Sequence, residues 1–456
     1  MERHDVIVVG GGPAGANAGR EAAAHGADVL VIEQGIPRED RDDLGPDSTD
    51  AAGMLDYWVD IMELDPAEIP EEIILQELDS TEFIGPNESV ILRTTGMDAT
   101  YDKFGFTFHR ARMDDWMRER AEAEGANYVV GRSVKHVETD LDGAPRHVVE
   151  LADGEELAAD AVILADGPQR RVTLQVLEGF LPAGHSALER MAPTNANHIA
   201  YQEYRRFPEE AFEPTVLKFW WGYIPGETAY PWVFPNDDPV ARVGLTMPIG
   251  MDLNDFDDPT SYVLIDEDDT AIPNGATYID RLLHNVYGGR YDIDADFPRV
   301  PDRGKRGGVE TYAISSTRPI DSPVEAGIAI AGGAMGTTSA FHEGGYHVAT
   351  RSGSIAGRLA AQGALDRYNR AWKEAIGDEI LRNVSFADLV KDYGPADWDR
   401  AFATARKMQG EDDDRLIERI WTAGFPAIKV YLGYKWRKRT YRNGKYVQLT
   451  EDEYVY

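Results

Sequence analysis

Gly10, Gly12 and Gly15 stand in the spacing G-x-G-x-x-G, and Glu33 closes the apolar run that follows them. That set can hold a pyrophosphate. Gly10 permits a tight turn, Gly12 lets phosphates approach the backbone, and Gly15 lets a helix pack closely on a strand, while the helix N-terminus adds partial positive charge. Glu33, at the end of a second strand, can accept hydrogen bonds from ribose hydroxyls. A second set lies in T-A-Y-P-W-V-F-P, Thr228 to Pro235. At the two-residue period of a strand, Tyr230, Trp232 and Phe234 share one face and Pro231 and Val233 the other. Such a face is either core of an antiparallel sheet, because large aromatics mainly fill cores, or the wall of an apolar ligand site. A third set is His342, Glu343 and His347. H-E-x-x-x-H is one residue too long for the zinc-binding H-E-x-x-H helix, so no metal site is expected. An imidazole titrates near neutrality, so His342 can handle a proton, or it can be a hydrogen-bonded structural residue.

The elements that must position these sets are readable from the patterns around them. D-V-I-V-V-G-G-G-P-A-G-A-N-A-G-R-E-A-A-A-H-G-A-D-V-L-V-I-E is a buried strand, a glycine turn, an Ala-rich helix and a second buried strand, one βαβ unit. Pattern, strand, helix and acid together make dinucleotide binding the expectation. Asp40 to Pro70 is polar and acidic, and reads as loop and short helix. From Arg110 a helix places Met113, Trp116, Met117 and Ala121 on one face and ends near Gly125. Strands follow near Tyr128 to Val130, Val148 to Leu151 and Ala161 to Leu164.

Val172 to Arg299 carries several strand-like runs and long loops, which suits an antiparallel sheet. Within it, Val216 to Pro225 reads as the hairpin partner of the aromatic strip, with P-G-E-T as the turn. Pro231 cannot donate to a ladder, which puts the strip at a sheet edge or beside a cavity. G-I-A-I-A-G-G-A-M-G, from Gly327, is again a buried strand entering a glycine turn, followed by a helix from Tyr346 to Gln362. After Leu365 the pattern is mostly helical, and no internal repeat or low-complexity linker is evident.

Composition narrows the function classes. A net charge of -34 over 456 residues argues against a nucleic-acid partner. Acidic residues spread through every segment, with Lys sparse beside Arg, point to a high-salt cytoplasm. There is no Cys, which excludes disulfides, thiolate nucleophiles, iron-sulfur clusters and cysteine zinc sites. M-E-R-H-D-V runs straight into a strand with no room for a signal peptide, and no apolar run approaches the ~20 residues that span a bilayer. A cytoplasmic protein is expected, one that can rest on the inner membrane face. From Pro426 to Thr450 there is no Asp or Glu, and Lys429, Lys435, Arg437, Lys438, Arg439, Arg442 and Lys445 interleave with Tyr431, Tyr434, Trp436, Tyr441 and Tyr446. Such a tail suits an anionic lipid surface, or folds back on its own acidic body or a neighbouring subunit.

The N-terminal unit, A-D-G at Ala165 to Gly167, and the late A-G-G-A-M-G turn with E-G-G-Y-H-V-A-T-R-S-G together resemble the FAD-binding superfamily that includes aromatic hydroxylases. Within it, R-A-R-M-D-D-W-M at Arg110, A-Y-P-W-V-F-P at Ala229 and R-Y-N-R-A-W-K-E-A-I-G-D-E-I near Arg367 resemble the archaeal geranylgeranyl reductase family. The resemblance implies an α/β fold: a Rossmann-like, three-layer FAD-binding domain (1–171 and 300–365), an antiparallel-sheet substrate domain (172–299), a helical region (366–425) and the basic aromatic tail (426–456).

By that resemblance Gly10, Gly12, Gly15 and Glu33 hold the ADP half of FAD, and Arg110 lies near the flavin. Asp166 and Gly167 belong to a second cofactor-binding stretch. Gly344 and Gly345 open a helix at the flavin pyrimidine edge, where negative charge accumulates on reduction. Val134, Gly332 and Gly333 complete the implied cofactor set. The strip is similar to the family's Y-x-W-x-F-P signature, so Tyr230, Trp232, Phe234 and Trp221 are expected to line a prenyl cavity. Three departures stand out. Gly332 to Met335 replace the superfamily's usual G-D-A-A, Ala340 to His342 replace P-L-T, and a cysteine near the substrate in some members has no counterpart.

The implied activity is FAD-dependent saturation of isoprenoid double bonds in prenylated archaeal ether lipids, with hydride from reduced flavin and a proton from a nearby acid, His342 being one candidate. No second G-x-G-x-x-G appears, so electrons are expected from a ferredoxin, an electron-transfer flavoprotein or a small reductant. A quinone-linked dehydrogenase of the electron-transfer-flavoprotein kind, an aromatic monooxygenase or halogenase, and a non-catalytic flavoprotein are the alternatives.

Overall fold

The computed structural model describes residues 1–37, 52–191, 196–237, 239–303, 307–408 and 425–456. Residues 38–51 of the expected acidic loop, and the side chain of Lys429, lie outside the described set. After residue 51 come a short strand Gly53–Leu55, a helix Asp56–Ile61 and a 3-10 turn Pro66–Glu68.

Continuous apolar runs bury both faces of the central strands of the first, seven-stranded sheet. In spatial order it runs Asn127–Val130, Val29–Glu33, Glu2–Val9, Glu156–Leu164, His147–Leu151 and Val134–Thr139. The first four strands are parallel, His147–Leu151 pairs antiparallel with the neighbour on each side, and Ile328–Ile330 adds in parallel to the end of Glu156–Leu164. Helix Pro13–Ala24 crosses between the first two strands in sequence, and helix Tyr346–Ala361 lies directly against it. Their backbones touch because a Cβ on Gly353 or Gly357 would come within 2.0 Å of the carbonyl oxygen of Ala14 or Ala18. That close packing fixes where the second helix begins.

The second sheet is also seven-stranded, in the order Val309–Ile314, His198–Arg206, Val240–Pro248, Tyr230–Pro235, Val216–Trp220, Ser80–Ile84 and Ser89–Leu92. It draws strands from both sides of 172–299. Alternation holds along the strip. Val233, with Trp220 of the hairpin partner, packs on Tyr278, Ile279, Leu282 and Leu283 of helix Gly275–Tyr287, whereas Tyr230, Trp232, Phe234 and Trp221 pack on the other face with Trp398 and Phe402. Of the two positions expected from Pro231, the edge is corrected, because the strip is the central strand of the sheet, while the place beside a cavity is observed. Its ladder to Val216–Trp220 covers only Trp232 and Val233, so on that side Pro231 has no ladder to interrupt.

A third sheet, Gly53–Leu55, Gly105–Phe108 and Ile74–Leu78, leads into helix Arg110–Ala123, which buries Met113, Met117 and Ala121 and is followed by Gly125 at φ +104°. Helices Tyr368–Val390, Pro395–Met408 and Phe425–Thr440 follow. The end of the chain folds back: Tyr446, Val447, Leu449 and Tyr454 are buried in the core of the first sheet. No helix among the described residues is long and apolar enough to cross a membrane.

Candidate active site

The glycine turn leaves Glu2–Val9 with Gly10 at φ +99°, where a Cβ would sit 2.4 Å from the Ala165 carbonyl oxygen. A Cβ on Gly15 would lie 1.8 Å from the Gly10 carbonyl oxygen. Gly12 differs: a Cβ there would meet nothing within 4 Å, because it would project into a cleft. Glu33 stands at the cleft edge with its two carboxylate oxygens accepting from the backbone N–H groups of Gly11 and Gly35, each at 2.6 Å. The Asp166 carboxylate caps helix Arg171–Glu178, accepting from Val172 N at 2.7 Å and Thr173 N at 3.1 Å, so it presents mainly backbone to the cleft.

The cleft has a volume of about 590 Å³. Gly10, Gly12, Glu33, Arg110, Val134, Asp166, Gly167, Gly333 and Gly345 all line it, which brings together residues from distant parts of the sequence. Gly15 packs beneath the turn, and Gly332 is buried with φ +63° and its N–H on Ser352 Oγ at 3.0 Å. Gly344 faces a different cavity. Arg110 pairs with Asp114 at 2.9 Å and stacks over Tyr346, 4.8 Å from the ring centroid. Met335, which stands where the superfamily pattern has a small residue, is fully buried and receives Tyr368 OH on its sulfur at 3.6 Å. Open space above Gly12 and Gly167, both lacking any neighbour to a Cβ, is what a dinucleotide requires.

A second cavity, of about 460 Å³, lies in the aromatic core. Tyr230, Trp232, Phe234 and Trp221 all line it, so core and wall are the same residues. Trp221 stacks on Phe341 at 5.2 Å and 9°, and Phe219 meets Phe234 edge-on at 5.2 Å. Gly244, opposite Trp232 across the ladder, has no Cβ because the indole occupies its place. The indole N–H groups of Trp221 and Trp232 have no acceptor among the described residues, as in an apolar chamber.

The turn between Ser339 and Gly345 separates the two spaces. Ser339 Oγ accepts from Phe341 N and His342 N at 3.2 and 3.1 Å, and Tyr230 OH donates to the His342 carbonyl at 2.8 Å, tying strip to turn. Burial holds the His342 imidazole neutral, with its pKa down at about 4. Its Nδ1 accepts from Gly344 N at 3.1 Å, and its ring stacks on Trp58, which stacks in turn on His347 at 4.1 Å. Glu343, Gly345 and Tyr346 line both cavities. The sequence patterns do not mark Trp58, Phe341 or Tyr346 as site residues, and they raise Glu343 only as part of H-E-x-x-x-H, without a role of its own. The signal available for Glu343 was an acid beside G-G at a helix start, in a chain with no other acid in that turn.

The family model of an FAD binding domain matches residues 5–41. Digeranylgeranylglycerophospholipid reductase 2 of Methanothermobacter thermautotrophicus is 24% identical over 423 residues, covering 90% of this chain and 93% of that protein. A geranylgeranyl bacteriochlorophyll reductase-like protein from Thermoplasma acidophilum has the same fold, with a TM-score of 0.69 at 21% identity over 95% of this chain and 99% of that one. A flavin-dependent brominase is more distant, with a TM-score of 0.60 at 14% identity over 96% and 100% of the two chains. The chain is thus a relative of the archaeal geranylgeranyl reductases, an FAD-dependent oxidoreductase built on the fold of that group.

Proposed function

We propose that this chain saturates isoprenoid double bonds of prenylated archaeal ether lipids. The observation that carries the reading is the meeting of two spaces: an aromatic chamber shares Glu343, Gly345 and Tyr346 with the cleft that begins at the glycine turn. FAD, when bound and reduced, supplies hydride to an alkene carbon. The residues of the chain bind, orient and exclude water. Gly10, Gly12 and Glu33 take the ADP half with Gly15 packed beneath the turn, Val134, Asp166, Gly167 and Gly333 border the middle with Gly332 buried behind it, and Arg110 and Gly345 lie on the flavin side, Gly344 facing the aromatic chamber. The N-terminus of helix Tyr346–Ala361 adds a favourable dipole there. Tyr230, Trp232, Phe234 and Trp221 hold the prenyl chain by removing its surface from water, at about 0.8 kcal/mol for each buried CH₂. Isoprenoid alkenes are unactivated, so enclosure and alignment supply much of the rate. His342, neutral and with no partner for its Nε2 among the described residues, offers an N–H to a polar group of the substrate.

Electrons come from a ferredoxin, an electron-transfer flavoprotein or a small reductant. Helix Phe425–Thr440 offers a peripheral contact with the membrane that holds the lipid, through Leu432 and Trp436, which are 58% and 65% exposed, beside Lys435, Lys438 and Arg439. The test is mass spectrometry of geranylgeranylated lipid after anaerobic, high-salt incubation with FAD-loaded protein reduced by dithionite. Successive gains of two hydrogens support the reading. An unchanged lipid, with flavin bound and reduced, overturns it in favour of quinone as acceptor, and rapid oxidation of a bound aromatic by oxygen favours the hydroxylase or halogenase class.

A further inference from the structure

Alkene reduction needs a proton as well as a hydride, and among the described residues the wall shared by the two spaces contains one carboxyl group. Glu343 borders both cavities, its side chain is 3% exposed, and its backbone is held in the left-handed region at φ +58°. A non-glycine residue is uncommon there, and the surrounding turn holds it: Glu343 N donates to Ser339 O at 3.1 Å, and Ser339 N donates to Gly344 O at 2.9 Å. The groups facing the carboxyl come from three strands of the second sheet. Thr246 donates its hydroxyl to Oε2, Tyr230 lies close enough for the carboxyl to raise its phenol pKa, and His198 Nε2 stands 3.5 Å from Oε1. His198 Nε2 is also 3.1 Å from the Glu227 carbonyl, and Oε1 of Glu343 has no hydrogen-bond partner among the described residues. A buried carboxylate with one oxygen unsatisfied is costly, and a carboxylic acid is not. Burial raises the Glu343 pKa, and His198 and Thr246 only partly oppose it.

We propose that Glu343 is the general acid of the reduction, keeping its proton on the wall of the chamber and giving it to the substrate. The step rests on the prenyl reductase reading and completes its balance. The alkene π bond breaks, one C–H bond forms with the hydride that reduced flavin supplies, and the other forms with the Glu343 proton. The two electrons come from the flavin, which is left oxidised, and the Glu343 carboxylate regains its proton from water. His342, neutral and with Nδ1 already engaged by Gly344 N, is the poorer acid of the two.

The test compares wild-type protein with Glu343→Gln, which keeps the shape and loses the acid, and Glu343→Gly, which loses the acid and relieves the left-handed backbone. Each is followed by three readouts: the flavin spectrum before and after dithionite, quenching of tryptophan fluorescence by geranylgeranylated lipid, and single-turnover lipid reduction by mass spectrometry. Infrared difference spectra of wild type and Glu343→Gln at neutral pH add the carbonyl stretch of a protonated carboxyl group. Expected are unchanged flavin spectra and lipid quenching in both variants, reduction slowed by about 100-fold or more, in the range of general acid catalysis, and a carboxylic-acid band present only in wild type. Wild-type rates in either variant, or a wild-type spectrum in which Glu343 is a carboxylate, overturn the assignment and leave the prenyl reductase reading standing. Wild-type protein that leaves the lipid untouched overturns that reading, and the step with it.

Discussion

Gly10 and Gly12 stand two places apart in one turn and ask opposite things of a side chain. Gly10 is in the left-handed region against the Ala165 carbonyl, whereas Gly12 has extended backbone and open space in front of it. Gly10→Ala therefore acts on the fold: a destabilisation of at least about 1 kcal/mol is expected in urea unfolding of the flavin-free protein, from the left-handed conformation alone. Gly12→Ala acts on the ligand. Its flavin-free stability should stay within about 1 kcal/mol of wild type, the usual scale of an N-cap change, while FAD affinity, measured by flavin fluorescence on titration, falls tenfold or more as the methyl enters the cleft. Equal FAD affinity in Gly12→Ala would remove the pyrophosphate from that position. The motif was readable in the sequence because its roles are local to one βαβ unit. Glu343 was only partly so: an acid beside G-G marks the position, but its significance comes from the Thr246 hydrogen bond and the nearby Tyr230 and His198, which are distant in sequence.

At the level of elements, the contact between helices Pro13–Ala24 and Tyr346–Ala361 couples the fold to the cleft. Gly353 and Gly357 let the two backbones meet, so Gly357→Ala must force them apart, at an expected cost of about 1–3 kcal/mol in urea unfolding. Because the second helix begins at the wall of the cleft, the same variant should also hold FAD more weakly, which flavin release on gel filtration would report. Strand His147–Leu151 carries a different device. Burial, with Arg146 nearby, lowers the His147 pKa to about 4, so the folded protein keeps this imidazole neutral where the unfolded chain protonates it. The contribution is fully present above about pH 6.5 and is lost as pH falls toward about 4, at up to about 1.4 kcal/mol per pH unit. His147→Gln should flatten the stability profile in that window relative to wild type, and a parallel profile would assign the acid sensitivity to other groups. Strand and helix patterns were readable here because period and burial agree along each segment. Strand order was only partly readable: Pro231 argued for an edge or a cavity side, but Val216–Trp220 and Val240–Pro248 flank the strip, and Ser80–Ile84 extends the sheet beyond Val216–Trp220 with chain from far upstream, which no local pattern encodes.

For the whole molecule, charge sets the terms of any encounter with a lipid surface. A body at net -34 is repelled by anionic membrane, yet helix Phe425–Thr440 concentrates basic residues on one outer element. Arg437 anchors that helix to Asp388 of helix Tyr368–Val390 at 2.8 Å, and Tyr434 meets Phe386, a residue of the aromatic chamber, at 6.4 Å. The basic, aromatic face is thus next to the space proposed for the prenyl chain, which is where a lipid-consuming enzyme needs its contact. Lys435, Lys438 and Arg439 each contribute about 1 kcal/mol near an anionic surface, so reversing all three to Glu should weaken sedimentation with anionic vesicles by about 100-fold or more at low salt. In about 1 M salt, where screening reaches ~3 Å, that difference should vanish. Trp436→Ala should weaken binding at both salt concentrations, because burial of an indole in the interface does not depend on charge. Vesicle binding indifferent to both changes would remove this helix as the proposed membrane contact, whereas loss in Trp436→Ala alone would make the contact apolar and leave the basic residues to balance the acidic body.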